Sequence, residues 1–266
     1  MSEPQPATAR PSRRGTLPRS DLPAWRRTIR YYVSRLLVTA VVRLLLDVRV
    51  EGRERFAGRP AIYCFSHLGW TDPFILMTVL PLRPRLFFFG PKEEDMSTGG
   101  RNRLMSWTGA SVPFKPGRND LLDTVRRVEA VFAAGGVLAI AGEGRIHVHE
   151  SEITPLQEGT AYFALRSGLP IIPVAISGNS WLKFRRRIRV RIGEPVAPEG
   201  RPSREAVEVL TVRTWTALRA MVADAPDFPA TSGFFGWLTE VFNDWTGDPD
   251  ADRERAAQRE AARRRA

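Results

Sequence analysis

Short apolar runs alternate with longer segments of helical periodicity between residues 61 and 222, and this alternation restricts the fold more than any other feature of the chain. The runs with the length and composition of strands lie at 61–65, 85–89, 137–141, 171–177 and 187–192. The segments with helical periodicity lie at 73–80, 121–134, 160–167 and 204–222. Strands that alternate with helices predict an α/β fold in which helices flank a mixed, mostly parallel central sheet.

Length and composition restrict the class of protein further. With 266 residues, 43% of them hydrophobic, the chain can bury a full core, and one large α/β domain fits. Its formal net charge of +11 favours acidic partners, which include phosphate-bearing small molecules, anionic membranes and nucleic acid. The single cysteine, Cys64, excludes an internal disulfide framework and any zinc site built from several cysteines.

Composition divides the chain into five predicted segments. They are a disordered basic arm over 1–24, an amphipathic helix over 25–50, the α/β domain over 51–225, an aromatic C-terminal segment over 226–250 and a basic tail over 251–266. The arm is rich in Pro, Arg, Ser and Thr and lacks an apolar run, so it does not have the pattern of a signal peptide. The tail has almost nothing to bury and is predicted to be either a frayed helix or an extended tail.

The helical pattern over 25–50 has two interpretations. Apolar residues recur at helix spacing at Leu36, Leu37, Ala40, Val41, Leu44 and Leu45. Arg35 and Arg43 fall on another face, and the run is too short for a transmembrane span, which needs about 20 apolar residues. The pattern therefore predicts either a helix lying in a membrane interface or a helix packed on its own domain.

His67 and Asp72 form the most informative pair in the chain. On a continuous helix five residues correspond to about 500° of rotation, so the two side chains meet only if the backbone turns between them. Gly69 permits such a turn, and Pro73 suits the start of a following helix. The pair is then a general base held by a carboxylate. The alternative is that Asp72 caps a helix and His67 only packs in the core.

Four segments together resemble the sequence blocks of the PlsC-like glycerophospholipid acyltransferases, the lysophosphatidic acid acyltransferase family. The first is the His-x4-Asp pair, the second is matched by 88–93 and 109–115, the third by 141–146 and the fourth by 169–176. In the second block Lys115 stands where the family usually has arginine, and Phe114 where it has aspartate. The third block is similar to the family's Glu-Gly-Arg-Ile variant, with Gly142 in place of the usual proline.

The resemblance implies a role for each matching residue. His67 would be the base that activates a hydroxyl, and Asp72 would orient it and stabilise the imidazolium. The residues implied in binding the phosphate of the acceptor are Lys92, Lys115, Glu143, Gly144 and Arg145. Arg145 would grip the phosphate bidentately while the lysines supply charge, and Arg118 offers a further cation. Glu143 would hold a hydroxyl or position Arg145, and Gly144 would let the backbone approach.

In the fourth block, Pro170 and Pro173 are expected to shape the end of the buried strand, and an acyl-donor region at these residues is the second interpretation. Cys64 is expected to be structural, because the family mechanism uses no cysteine. Ser66 is likewise expected to support local structure.

The reaction that the resemblance implies is O-acyl transfer. An acyl group moves from acyl-CoA or acyl carrier protein to a hydroxyl of a lysophospholipid, with 1-acylglycerol 3-phosphate as the expected acceptor. No cofactor, metal or nucleic acid is expected, and 51–225 would be the catalytic domain, with the fold of glycerol-phosphate acyltransferases. The expected location is the cytoplasmic face of the cell membrane, on an anionic surface, as a peripheral or monotopic protein.

Other functions stay open at this point. The departures at Gly142 and Phe114 allow a glycolipid or aminolipid acceptor, or a non-catalytic lipid-binding protein. His147 and His149 would lie on one strand face and, together with His67 and Asp72, suit a metal-dependent esterase. The basic run at 183–191 fits nucleic acid, anionic lipid, the phosphates of coenzyme A or a plain solvated face, and the resemblance favours lipid or coenzyme A.

Overall fold

The computed structural model describes residues 24–56, 58–92, 107–114, 121–243 and 248–265, apart from the side chains of Ala24, Pro91, Lys92 and Phe242. The predicted arm up to residue 23, and the predicted cations Lys115 and Arg118, lie outside the described residues. The strands are β1 Leu46–Glu51, β2 Ile62–Phe65, β3 Leu86–Lys92, β4 Ser111–Phe114, β5 Val137–Ala141, β6 Ile171–Ser177 and β7 Arg186–Ile192. The helices are α1 Ala24–Leu45, α2 Asp72–Val79, α3 Leu121–Ala133, α4 Gly159–Ser167, α5 Arg204–Val222, α6 Gly233–Phe242 and α7 Pro249–Arg265.

The strands form one sheet in the order β1-β7-β6-β2-β5-β3-β4. Neighbouring strands run parallel except β6 and β7, which are antiparallel. The predicted mixed, mostly parallel sheet is therefore confirmed. β2 lies at the centre and is buried on both faces, which explains why its sequence is continuously apolar instead of alternating.

Helices cover both faces of the sheet. Residues of α1, α2 and α6 pack with one face in a single apolar cluster. Residues of α3, α4 and α5 pack with the other face in a second cluster. The burial of both faces leaves the strand ends as the positions where polar side chains can gather.

The helix predicted over 25–50 is shorter than expected. It ends at Leu45, and Leu46–Glu51 is the edge strand β1, which pairs in parallel with β7. The reason is visible in the chain, since Leu46, Val48 and Val50 alternate with polar residues, which is the period of a strand. The Leu45 carbonyl accepts a hydrogen bond from the Arg185 N–H at 2.6 Å. In a longer helix this carbonyl would instead accept a hydrogen bond from an N–H group of the next helical turn.

Helix α1 packs on the domain by a face other than the predicted apolar stripe. Its inward face carries Tyr31, Arg35 and Val42, all buried. The Arg35 guanidinium donates to the Tyr31 hydroxyl at 3.0 Å and to the Leu80 carbonyl. The apolar residues left exposed are Trp25, Ile29, Val33, Leu36, Leu37, Val41 and Leu44. Arg35 is thus a buried packing residue, and the apolar stripe faces outward.

The predicted basic tail is part of the folded domain. It belongs to α7, which begins at Pro249 and so crosses the predicted boundary at residue 250. Arg255 is buried with its guanidinium 4.9 Å from the centre of the Trp181 ring, and burial lowers its pKa to about 10. The Gln258 side chain accepts a hydrogen bond from Trp181 Nε1 at 2.9 Å. The helical interpretation of this segment is thus correct, but composition did not indicate the burial of Arg255, because a long arginine side chain can bury its own apolar stem.

Three arginines of β7, at positions 187, 189 and 191, contact acidic side chains of neighbouring elements. Arg191 contacts Asp224 at 2.5 Å and Glu51 at 3.1 Å, and Arg189 contacts both carboxylates at 3.2 Å. These contacts, led by the hydrogen bond from Arg191, lower the pKa of Asp224. Half of the six cations in the basic run at 183–191 are therefore paired with carboxylates of neighbouring elements.

Gly142 generates a prediction about stability. A Cβ atom at this position would lie 2.6 Å from Cys64 Sγ and 2.9 Å from Leu156 Cδ2, closer than atoms can approach. We expect Gly142→Ala to lower the free energy of unfolding by about 1–3 kcal/mol, measured by urea denaturation. The matched control is Gly159→Ala, because a Cβ at Gly159 meets nothing within 4 Å. In a Cys64→Ala background the cost should fall, and an equal cost in both backgrounds would contradict this packing.

Candidate active site

The carboxyl ends of neighbouring parallel strands bring several of the predicted site residues to one edge of the sheet. β2 leads into His67, β5 leads into the loop at 142–145, and β6 leads into Asn179. β2 lies between β5 and β6 and runs parallel to both. Lys92 ends β3, the strand next to β5, at the same edge. In open α/β sheets this edge is the usual place for a ligand.

The backbone turns between His67 and Asp72, as their spacing predicts. Asp72 Oδ2 lies 2.8 Å from His67 Nδ1 and accepts hydrogen bonds from the N–H groups of Leu68 at 2.9 Å and Gly69 at 3.0 Å. The Asp72 N–H donates to the Gly69 carbonyl at 3.1 Å. The same carboxylate therefore closes the turn at the start of α2 and holds the imidazole.

The contact with Asp72 also decides which ring nitrogen of His67 is available for chemistry. Because a carboxylate accepts hydrogen bonds, Nδ1 carries the hydrogen, and the lone pair of the neutral ring is on Nε2. Within the described part of the chain, the ring has no other hydrogen-bond partner, and the side chain is 19% exposed. The pair can accept a proton at Nε2 while Asp72 stabilises the imidazolium that results.

Asn179 is a site residue that no motif indicated. It is fully buried, and its Nδ2 donates to Asp72 Oδ1 and, at 3.2 Å, to Thr71 Oγ1. Asp72 therefore uses one oxygen for His67 and the other for Asn179. The sequence did carry a signal for Asn179. This polar residue lies two positions after the end of the buried strand β6, just as His67 lies two positions after the end of β2.

The buried carboxyl group of Glu150 holds the loop that carries Asn179. Glu150 accepts hydrogen bonds from the Gly178 N–H at 2.6 Å, the Ser180 N–H at 3.0 Å and the Ser180 hydroxyl at 2.6 Å. Burial raises the pKa of Glu150, and these hydrogen bonds oppose the rise. A carboxyl group this deeply buried needs such donors, so the loop and Glu150 hold each other in place.

Glu143 has partners other than those the resemblance implies. Its carboxylate accepts hydrogen bonds from the His67 N–H at 3.0 Å and from the N–H and hydroxyl of Thr154 at 2.8 and 2.7 Å, and His147 Nδ1 lies 2.9 Å away. Burial opposes ionisation, but the His147, His67 and Thr154 contacts outweigh it and lower the pKa of Glu143. Buried Glu143 thus supports the backbone of His67, and no described contact joins it to Arg145.

Arg145 is at the surface of the same loop. Gly144 precedes it in a left-handed conformation, with φ of 68°, which turns the chain back from β5. Arg145 forms an ion pair with Asp248 at 2.8 Å, with the two side chains 39% and 28% exposed. The guanidinium is thus accessible to solvent and already holds one anionic partner.

The C-terminal segment also contacts the turn that carries His67. The buried side chain of Asn243, at the end of α6, accepts a hydrogen bond from the Trp70 N–H at 2.7 Å. A Cβ on Gly69 would lie 2.7 Å from Asn243 Nδ2, so glycine is required for this close approach. Neither Asn243 nor Asp248 has a local sequence pattern that could have indicated it.

Pro170 and Pro173 do not lie where an acyl-donor region at this edge would be. Pro170 precedes β6 and accepts a hydrogen bond from the Ile62 N–H at 3.1 Å, at the amino-terminal edge of the sheet. Pro173 is buried inside the sheet, paired with Cys64, and its carbonyl accepts from the Gly193 N–H at 2.8 Å. Pro170 therefore lies at the edge away from His67 and Pro173 lies inside the sheet, which fits the expected role of shaping the strand.

Cys64 and Ser66 are structural. Burial raises the pKa of the Cys64 thiol to about 12, which makes it a poor nucleophile. The Ser66 hydroxyl accepts from the Ile176 N–H at 2.9 Å, so that it extends the pairing of β2 with β6.

His147 and His149 are not on one strand face. They lie in the irregular segment after β5 and have separate partners. His147 is buried against Glu143, whereas His149 contacts Asp227 at 2.8 Å and Glu254 at 3.1 Å. The hydrogen bond with Asp227, with the charge of Glu254, raises the pKa of His149. Among the described residues, no three His, Cys, Asp or Glu side chains are grouped as metal ligands.

Comparison with known proteins gives three similarities. Residues 47–177 match the sequence model of the family described as Acyltransferase. The chain is 27% identical over 178 residues to the 1-acyl-sn-glycerol-3-phosphate acyltransferase of Saccharomyces cerevisiae, an alignment covering 64% of this chain and 56% of the yeast protein. The chain thus spans little more than half the length of this relative.

The third similarity is to the crystal structure of the 1-acyl-sn-glycerophosphate (LPA) acyltransferase PlsC from Thermotoga maritima. The TM-score is 0.57 and the sequence identity 21%, with 76% of this chain and 83% of that chain covered. At this identity the likeness concerns the fold, and it confirms the fold class predicted from the sequence.

The contacts of Asn179 predict a positioning role. We expect Asn179→Ala to lower the turnover number of the expected acyl transfer about ten- to a hundredfold, because a buried hydrogen bond to a charged group is lost. KM should change little. In an Asp72→Asn background the same substitution should cost much less, since its effect runs through Asp72. A loss of equal size in both backgrounds would mean that Asn179 acts only on folding.

Proposed function

Residues 47–177 belong to the acyltransferase family, and on this premise we propose that the chain transfers a fatty acyl group from a thioester to the hydroxyl of a lysophospholipid. The observation that carries the proposal is the His67–Asp72 pair at the carboxyl edge of the sheet, with Nε2 of the histidine available as a base. We propose 1-acylglycerol 3-phosphate as the acceptor, because this is the acceptor in the names of the yeast and Thermotoga proteins.

The chemistry that we propose for the pair is general-base catalysis. The acceptor hydroxyl gives its proton to His67 Nε2 as its oxygen attacks the thioester carbonyl, so that a C–O bond forms. The tetrahedral intermediate then collapses, the C–S bond breaks, and the imidazolium returns the proton to the departing thiolate. Asp72 stabilises the imidazolium in between. The donor is acyl-CoA or acyl carrier protein, and the step needs no cofactor.

The proposed roles of the remaining residues follow from their positions. Arg145 binds the acceptor's phosphate, since a guanidinium with partial exposure can form bidentate contacts with phosphate. Gly144 gives the loop its turn, and Lys92 supplies charge from the end of β3. Glu143 acts indirectly by holding the His67 backbone. The proposed role of Lys115 is also phosphate binding, on the strength of the motif alone.

We further propose that α1 attaches the protein to the cytoplasmic face of an anionic membrane. Support comes from its outward apolar stripe, which extends from Trp25 to Leu44, and from the arginines at its start. Near its C-terminal end, the Arg185 N–H donates a hydrogen bond to the Leu45 carbonyl, and the exposed ring of the adjacent Phe184 lies 6.2 Å from the ring of Phe235 in α6. None of the described helices has the length and apolar content to cross a bilayer. The substrates are themselves lipids, so surface attachment brings the base to them.

Thiol release tests the reaction. Purified protein in detergent with palmitoyl-CoA and lysophosphatidate should release coenzyme A in an acceptor-dependent manner. Asp72→Asn and His67→Ala should each lower the rate at least about a hundredfold, because base catalysis contributes about 10²–10⁴. Cys64→Ala is the matched control from the same strand and should keep most of the rate. Release that survives in His67→Ala would show that the base is elsewhere.

A panel of acceptors then tests the head group. Lysophosphatidate should give the highest kcat/KM among lysophosphatidate, glycerol 3-phosphate, lysophosphatidylcholine and a lyso-aminolipid. A clear preference for the aminolipid would replace the proposed acceptor while keeping the reaction, and failure with every acceptor and both donors would reject the reaction.

Flotation with anionic vesicles tests membrane attachment. Replacing Leu36 and Leu37 by glutamate should weaken binding at least about tenfold, because each leucine loses about 1.5–3 kcal/mol of burial in the bilayer. The matched control replaces Val209 and Val212, which are similarly exposed on α5, on the other side of the sheet. Equal loss in both double variants would indicate a general charge effect and contradict a specific role for α1.

A further inference from the structure

The cation proposed to bind the acceptor's phosphate is paired with a carboxylate of its own chain. Asp248 contacts Arg145 at 2.8 Å across 103 residues of sequence. Arg145 lies within the part matched by the family model, whereas Asp248 lies 71 positions beyond its end at residue 177. The pair therefore joins the family's phosphate-binding loop to a segment that the family match does not include.

The start of α7 holds Asp248 in position next to Arg145. Asp248 Oδ1 accepts the Asp250 N–H at 3.0 Å, and its carbonyl accepts the Asp252 N–H at 2.9 Å, so it caps the start of α7. α7 is anchored to the domain by the buried Arg255 over Trp181. One carboxylate oxygen thus caps a docked helix while the other is directed at Arg145.

The ion pair is suited to exchange. Both side chains are partly exposed, and ion pairs of this kind are weak, because water solvates the separated charges well. A phosphate monoester carries about −1.5 to −2 charges and three acceptor oxygens, against one charge and one remaining oxygen on Asp248. Arg145 can therefore give up the carboxylate for a phosphate, whereas chloride or a free carboxylate brings no such advantage.

We propose that Asp248 is a built-in counter-ion of the acceptor site, which occupies Arg145 while the site is empty and is displaced by the acceptor's phosphate. This inference rests on the proposed function, because it assumes that Arg145 binds the acceptor's phosphate. It makes the C-terminal segment a determinant of acceptor affinity. Asp248 lowers that affinity and keeps weaker anions off the guanidinium.

Asp248→Asn is the variant that isolates the charge, because asparagine retains the cap of α7. With the full chain in detergent, we expect KM for lysophosphatidate to fall about two- to fivefold with kcat nearly unchanged, the range that removal of an exposed ion pair allows. Asp248→Ser, which also caps a helix, should do the same. Asp250→Asn removes an equal charge two residues away and should leave KM unchanged, since Asp250 is paired with Arg253.

A binding measurement separates this inference from the proposed reaction. Titration with inorganic phosphate, followed by calorimetry, should give a dissociation constant about two- to fivefold lower for Asp248→Asn than for the unmodified chain. In an Arg145→Gln background the difference should vanish. If Asp248→Asn binds phosphate more tightly but the unmodified chain releases no thiol with any acceptor, the proposed reaction is wrong and the counter-ion role still holds. If Asp248→Asn binds phosphate no more tightly than the unmodified chain and its KM for lysophosphatidate does not fall, the counter-ion role is wrong. Asp248 would then be a residue that holds Arg145 in its active position.

Discussion

The buried carboxylate of Asp72 is the interaction on which the rest of the site depends. It receives hydrogen bonds from the His67 ring, the N–H groups of Leu68 and Gly69, and the amide of Asn179. A buried charge is stable only when hydrogen-bond donors surround it. The need to supply these donors to Asp72 therefore fixes the positions of the turn, of the loop after β6 and of the imidazole. The orientation of the base is a consequence of solvating this charge inside the protein.

Sheet polarity explains how residues far apart in sequence come to serve that site. Parallel strands end at the same edge, and β2, β5 and β6 lie side by side. Their carboxyl ends deliver His67, the loop with Glu143 and Arg145, and Asn179. The same polarity excludes Pro170, which precedes its strand. Both faces of the sheet are covered by helices, so this edge is where polar groups from several strands can meet.

The C-terminal helices extend the site beyond the part that the family model matches. Asn243 supports the backbone next to Gly69, and Asp248 contacts Arg145. His149 contacts Asp227 and Glu254, so the loop after β5 is joined to this segment at a second point. The segment that composition describes as an aromatic stretch and a basic tail is therefore bound to the same loops that form the candidate site.

Sequence alone predicted β2, β3, β5, β6 and β7, the helices α2 to α5, the sheet class, the resemblance to the acyltransferase family and the meeting of His67 with Asp72, because these depend on local periodicity and on short spacings. It did not predict the edge strands β1 and β4. It failed at Arg35 and Arg255, whose burial depends on distant carbonyl groups and rings, and at the end of α1, where two periodicities overlap. Asn179, Asn243 and Asp248 were decided by tertiary structure. Each acts through a contact across roughly 100 residues or more, and no local pattern encodes which distant backbone or side chain a polar group will meet once the strands are ordered.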